Sequence, residues 1–333
     1  MKFYCSLTLA CLTIFPSIVR AEFVENSDIT NYVNTLIEKE KVVTIPSGNF
    51  KINANKSIIP KDGTIIKMSD NTRLYVIPNK YDSYRIFKIN NVKDVSISGG
   101  QLIGDKHNHL SKKGEWGMGI EIRDSKNINI SDIQIDKMWG DGIYIGSNGK
   151  NSTYNINLNN IRMNDNRRQG ITITSVNKLT ATNLQIENTG GTPPANGIDI
   201  EPNNDKSVLK DIKVKGLKTK DNKGVGFQVS LKHLNASSSP ISISLENHKD
   251  SGSNFGLVVN GLTSPLTGKI DINGVNYSSN KFANFCFNSW KNNVDISLNN
   301  ITHDKKNIFR KHSWCFDYNQ EPKIKIGRVV TAN

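Results

Sequence analysis

The sequence predicts an all-β protein: a single-stranded right-handed parallel β-helix, or solenoid, with a short N-terminal capping helix. The first observation behind this is a repeat. Gly119-Ile120-Glu121-Ile122 recurs as Gly142-Ile143-Tyr144-Ile145, Gly170-Ile171-Thr172-Ile173, Gly197-Ile198-Asp199-Ile200, Gly226-Phe227-Gln228-Val229 and Gly256-Leu257-Val258-Val259, the glycines falling 23 to 30 residues apart. The second is an interleaved series, Ile133-Gln134-Ile135, Ile161-Arg162-Met163, Leu184-Gln185-Ile186 and Ile212-Lys213-Val214. Each unit therefore holds at least two short strands, too small to bury their apolar side without stacking on the next unit. The third is the 44 asparagines, a residue that tolerates left-handed backbone and suits the tight corners of such coils. A β-propeller would need about four strands and 40 or more residues per blade.

The elements follow in order. Residues 1–21, MKFYCSLTLACLTIFPSIVRA, place Lys2 before an apolar stretch and end in Val19-Arg20-Ala21, the pattern of a signal peptide with a small-residue cleavage site. Residues 22–41 form the capping-helix region: after Ser27-Asp28, the apolar residues Ile29, Tyr32, Val33, Leu36 and Ile37 make one helical face. That face covers strand edges that would otherwise template aggregation. Residues 42–333, opening with VVTIPSGNFKI, read as the β-helix domain.

Composition narrows the function. Hydrophobic residues make up 36% and charged residues 22%, and no apolar run beyond the N-terminus is long enough to span a bilayer, so the sequence predicts a folded body that is not an integral membrane protein. Against 30 Asp and Glu stand 43 Lys and Arg, a formal charge of +13, which favours an anionic partner. With a signal peptide, the chain is expected to be secreted or periplasmic, and an acidic polysaccharide or a membrane surface is then a better partner than nucleic acid; charge serving solubility alone is the other reading. Cleavage would remove Cys5 and Cys11 and leave Cys286 and Cys315, 29 residues apart in FCFNS and WCFDY. On adjacent coils these two form either a disulfide or a stacked reduced pair. No Cys/His cluster has zinc spacing, so no zinc site is expected and no residue is assigned as a metal ligand.

Aligning the units on the glycine exposes the outward positions, because alternate residues of a strand face opposite ways. Two places after the glycine the ladder reads Glu121, Tyr144, Thr172, Asp199, Gln228; three places before it, Trp116, Trp139, Arg167, Pro194, Lys223. Aromatic faces, guanidinium forks and amides on successive coils suit a glycan groove, with Trp116, Glu121, Trp139, Tyr144, Arg167 and Arg168 as substrate-binding residues. The alternative packs both tryptophans under a loop. In GIDIEPNN, Asp199 and Glu201 are two apart on a strand, roughly 6.5–7 Å along the chain and on one face, and so suit the acid and base of glycosidic cleavage. Asp141 on a neighbouring coil joins them as a third catalytic candidate; an ion-pair network with the arginines is the structural alternative. The long loop within 99–117 carries Asp105, His107, His109 and Glu115, and either histidine could supply a base.

VVTIPSGNFKI, GGQLIGD, GEWGMGIEI, GDGIYIG, NRRQGI and NTGGTPPANGIDIEPN together resemble the pectate-lyase superfamily of right-handed β-helix proteins, nearest the branch of phage tail spikes, polysaccharide lyases and mannuronan epimerases. The resemblance covers approximately residues 40–260. It implies action on a long acidic or branched glycan lying across the coils. The Asp-Pro-His motif of the mannuronan epimerases and the regularly placed calcium aspartates of the pectate lyases are not visible, so calcium is left open, as is a homotrimer.

The sequence thus favours an exported polysaccharide-processing enzyme, hydrolase or lyase, acting in a groove along the β-helix. A hydrolase would use the carboxyl pair. A lyase or epimerase would use a base such as Tyr144, His107 or an arginine, with a second cation on the uronate carboxylate. A noncatalytic glycan-binding or surface adhesion protein on the same stack is the alternative from a different class.

Overall fold

A computed structural model describes residues 23–149, 152–261, 265–288, 293–304, 315 and 324–331. The expected signal peptide, 1–21, lies outside the described residues. From Val42 onward the described chain is built of short parallel strands that stack coil upon coil, with one helix, Thr30–Lys39, in front. The fold is the right-handed parallel β-helix that the repeat predicts.

The glycine repeat builds one face. Eight parallel strands, Ser83–Asn90, Trp116–Arg123, Asp141–Gly146, Gln169–Ile173, Asn196–Ile200, Val225–Ser230, Phe255–Asn260 and Ala283–Phe287, pair in sequence order. Ile120, Ile143, Ile171, Ile198, Phe227, Leu257 and Phe285 lie in one register column and are buried. Two further columns complete the interior: Ile97, Ile130, Leu158, Ala181, Val214, Leu245, Ile272 and Leu298, then Leu102, Ile135, Met163 and Ile186. A coil therefore carries three strand segments, one more than the two the repeat required.

The glycines themselves are required by close approach. A Cβ on Gly170 would stand 2.4 Å from Cγ2 of Ile186, which comes from the opposite wall, so a larger residue would push the walls apart.

One assignment of the interleaved series needs correction. Ile212-Lys213-Val214 does not continue Leu184-Gln185-Ile186; it pairs with Leu179-Thr180-Ala181, and the true continuation is Lys218-Thr219-Lys220. The column that runs Met163, Ile186 turns polar there, as Thr219, Asp250, Tyr277 and His303, all buried. An apolar pattern could not follow it.

Asparagine does the work at the corners. Asp94, Asn127 and Asn155, one above another, all hold φ of 55–59°, and Asn155 Nδ2 donates to Asn127 Oδ1 while Asn127 Nδ2 donates to Asp94 Oδ1, each at 2.8 Å. The side-chain amide thus permits the left-handed turn and joins adjacent coils. At the front end, Asp28 Oδ1 accepts from the Thr30 amide at 3.0 Å, and Val33 and Ile37 bury against Val43, Ile45 and Phe50. Among the described residues no helix is long and apolar enough to cross a membrane.

Candidate active site

The outward ladder read from the sequence is present in the register: Glu121 pairs with Tyr144, Tyr144 with Thr172, Thr172 with Asp199 and Asp199 with Gln228. Outward of the solenoid core does not mean exposed. Glu121, Thr172 and Asp199 are buried, because arginines and turns from flanking segments close over them.

A cleft of about 330 Å³ lies over this ladder, lined in part by Arg85, Trp116, Arg123, Arg168, Thr172 and Glu201. Its first half is a cationic wall on an anionic floor. Glu121 Oε1 accepts from Arg85 Nη2 at 2.7 Å and from Arg123 Nε at 2.8 Å. Burial works to raise the Glu121 pKa, but the hydrogen bonds from Arg85 and Arg123 outweigh it and hold the carboxyl below its ordinary value. Arg123 stacks over the Tyr144 ring at 4.0 Å, and the Tyr144 hydroxyl meets Thr174 Oγ1 at 3.1 Å. One carboxylate thus serves two guanidinium groups, leaving net positive charge at the cleft wall.

Of the three carboxylates proposed for catalysis, Glu201 lines the other half of the cleft, and Asp141 and Asp199 lie buried behind its lining residues Arg168 and Thr172. Asp141, fully buried, accepts from Arg168 Nη1 and from Thr172 Oγ1, the latter at 2.8 Å. Burial lifts it to about 6, against the opposing pull of Arg168. Asp199 accepts from Gln169 Nε2 at 2.6 Å and Gln228 Nε2 at 3.1 Å. Burial, with the nearby Glu201 charge, lifts it to about 7. Glu201, directly after the strand Asn196–Ile200, is partly exposed and pairs with Lys232 Nζ at 2.8 Å. Asp199 is therefore partly protonated near neutrality, and Glu201 stands beside the Lys232 cation, so the two carboxyl groups sit in unlike surroundings.

Other candidates sit differently. Trp116 lines the cleft and is 49% exposed, but Trp139 is only 8% exposed, so the expected pair of exposed tryptophans is a single one. Trp139 is clamped between the His109 ring, stacked at 4.0 Å, and the Arg167 guanidinium at 3.8 Å. Arg167 also donates to the Gly114 and Trp139 carbonyls, so it pins the 99–117 loop, whereas Arg168 faces the carboxylates. His109 has a fully buried side chain and donates through Nδ1 to Asp105 at 2.8 Å; Asp105 also accepts from Tyr84 and Asn79. His107, largely exposed, pairs with Asp165 at 2.7 Å. Neither histidine lines the cleft. Physically, the loop folds back over Trp139 and uses its polar residues as anchors.

Arg85, Gln169 and Lys232 were not singled out from the sequence. Arg85 belongs to the coil before the first glycine unit, whose signal was available in Phe87-Lys88-Ile89, in register with Ile120-Glu121-Ile122. Cys286 and Cys315, away from this cleft, are joined by a disulfide with Cα atoms 5.2 Å apart. Among the described residues no group of three or more His, Cys, Asp or Glu is placed to hold a metal ion.

With this geometry in hand, the chain can be compared with known proteins. The β-helix of a tailspike protein from Acinetobacter baumannii bacteriophage Fri1, a capsular polysaccharide depolymerase, superimposes with a TM-score of 0.63 at 12% identity, over 93% of this chain and 61% of that one. The likeness is one of fold, the right-handed parallel β-helix. The endo-xylogalacturonan hydrolase from Aspergillus tubingensis shares this fold, with a TM-score of 0.57 at 11% identity over 91% of this chain and 90% of that one. No family model matches the chain. Two Bacillus subtilis (strain 168) proteins match by sequence: the SPbeta prophage-derived uncharacterized protein YorA, 35% identical over 126 residues, and the uncharacterized protein YclG, 29% identical over 200 residues. Those matches take in 32% and 52% of this chain, but only 22% and 34% of the relatives' own lengths.

Proposed function

We propose that this β-helix protein is an exported enzyme that cleaves glycosidic bonds in an acidic polysaccharide, by hydrolysis. The observation that carries the reading is Asp199, buried and lifted to about 7, two residues from Glu201 in the wall of an arginine-lined cleft. The activities named for the tailspike, a capsular polysaccharide depolymerase, and for the xylogalacturonan hydrolase support the same class of reaction, with the site residues rather than the shared frame carrying the argument.

In this mechanism Asp199 gives its proton to the leaving glycosidic oxygen. Glu201 takes a proton from the water that adds to the anomeric carbon, so that one water is consumed for each bond broken. Of the two amides on Asp199, Gln228 is partly exposed and Gln169 buried, so Gln228 is the one a bound sugar displaces. Asp141 and Thr172 position Arg168, and Arg85, Arg123 and Arg168 receive the substrate carboxylates. Trp116 offers a face to a pyranose ring. Export follows from the signal pattern of residues 1–21.

A second reading, β-elimination, is favoured by one observation: Arg123 over Tyr144 beside Arg85 places a phenol among cations able to neutralise a uronate carboxylate. Incubating the mature chain with polygalacturonate, alginate and hyaluronan, while following polymer size and ultraviolet absorbance, separates the two. Shortening without new absorbance, abolished by Asp199→Asn, supports hydrolysis. Shortening with the absorbance of an unsaturated uronate supports elimination. Binding without shortening of any polymer would sink both and favour an adhesin.

A further inference from the structure

Asp199 has a second cleft on its other side. In the register column Tyr144, Thr172, Asp199, Gln228, Thr172 lines the arginine cleft, while Gln228 lines a separate cleft of about 440 Å³. Asp199 stands between them, one strand spacing, or about 4.8 Å, from each neighbour. Pro194, Val225 and Phe255 give this second cleft an apolar wall, and the exposed Lys223 stands at its margin.

Asn196 also lines it, and its chemistry is incomplete. The residue is fully buried. Its backbone amide donates to Gln169 Oε1 and its Oδ1 accepts from the Val225 amide, both at 2.8 Å. That fixes which amide atom is which. Nδ2 is left buried with no partner among the described residues, the state that a buried donor avoids wherever an acceptor can reach it. Gln169, which holds the Asn196 backbone, also holds Asp199. The unpaired donor is thus built into the same frame as the proposed acid.

We infer that this cleft is a sugar-binding subsite across the scissile bond from the arginines. It takes a hexopyranose that turns an acceptor oxygen, hydroxyl or carboxylate, to Asn196 Nδ2 and its C–H face to Pro194 and Phe255. The inference rests on the glycosidase reading above and adds a requirement to it: productive substrate spans both clefts, so affinity depends on chain length, and Lys223 favours an acidic unit over a neutral one.

The test uses the full mature chain and oligomers of polygalacturonate, alginate and hyaluronan graded in length, with neutral xylan oligomers beside them, and measures binding by calorimetry. Asn196→Asp removes the donor while keeping the acceptor; Lys223→Trp fills the cleft from its exposed margin. In the unaltered protein affinity rises with length, and each variant loses that rise, about tenfold for the long oligomers, the equivalent of one hydrogen bond to a buried donor. Should Asn196→Asp fail to fold, by circular dichroism and melting, the surface variant decides alone. Affinity independent of length, or a rise that survives both substitutions, overturns the subsite while leaving the glycosidase reading standing. No binding and no depolymerisation of any probe overturns the glycosidase reading itself. Equal length dependence for neutral and acidic oligomers keeps Asn196 and overturns the part given to Lys223.

Discussion

Arg168 reaches both oxygens of Asp141 with a single nitrogen, Nη1 lying 2.9 Å from Oδ2 and 3.2 Å from Oδ1. The carboxylate is wholly enclosed, the Arg168 side chain is 16% exposed toward the cleft, and the buried carboxylate depends on its cation. Arg168→Ala is therefore expected to destabilise the protein by about 3–5 kcal/mol at neutral pH, since it strands a buried charge. Arg168→Ala with Asp141→Asn should recover much of that loss. A double-mutant cycle by denaturant unfolding reads the coupling, and simple additivity of the two substitutions would refute it.

Asp199→Asn is expected to lower the rate of glycan cleavage by about 10²- to 10⁴-fold, the ordinary range for losing a general acid. Because Asp199 must be protonated to act and is lifted to about 7, activity of the native enzyme should fall as pH rises through that value. A pH–rate profile checks this; an alkaline limb that persists in the residual activity of Asp199→Asn would assign the proton to another group.

Stability should follow the same group. Folded Asp199 keeps its proton up to about 7, whereas in the unfolded chain it releases it at about 3.9. Between those values the folded state binds more protons, so its contribution to stability is fully present below the unfolded value and is lost as pH rises through the folded one. Asp141, lifted to about 6, acts in the same sense over a narrower window. Asp199→Asn should leave the melting temperature nearly unchanged at about pH 4 and raise it at about pH 8. Melting curves at the two pH values supply the comparison, and an equal shift at both would contradict it.

The two tryptophans should respond in opposite ways. Trp139→Ala removes a ring packed between His109 and Arg167 and should cost about 3–5 kcal/mol of stability. Trp116→Ala, at an exposed site on the cleft wall, should leave the melting temperature within a degree or two while weakening glycan binding several-fold. Melting and binding measured on both variants distinguish the roles; a Trp116 variant that binds as the native protein does would remove it from the site.

Reduction of Cys286–Cys315 opens a loop of 29 residues, and the lost constraint on the unfolded chain should lower stability by about 3–4 kcal/mol. Unfolding with and without a reductant, with free thiols counted by mass spectrometry, tests it.

These residues also mark what a sequence can disclose. The period and alternation around Gly142, Gly170 and Gly197 set the coil register, and with it the column from Glu121 to Gln228, because stacked parallel strands leave little freedom in which residue sits over which. Packing of the tryptophans under a loop was one of the two readings the sequence allows, and it holds for Trp139 but not Trp116; the sequence does not separate the two because the covering loop has no period of its own. Likewise Thr219 and Asp250 hid the third wall of the later coils: polar residues inside a solenoid erase the apolar signal by which the wall is traced. Neither the role of Arg85 nor the unpaired amide of Asn196 has any local signature, because both arise between coils.

The polar turn taken by the interior column at Thr219, Asp250, Tyr277 and His303 bears on how the molecule comes apart. In a stack whose units grip only their immediate neighbours, cohesion is local and the weakest junctions yield first. The coils from Trp116 to Ile200 are joined by unbroken aliphatic columns; those beyond Thr219 trade part of that for hydrogen bonds that water can imitate. Warming should therefore fray the stack from its C-terminal end, unzipping coil by coil toward an intact middle, and hydrogen exchange along the chain would show a gradient of protection rather than one shared value.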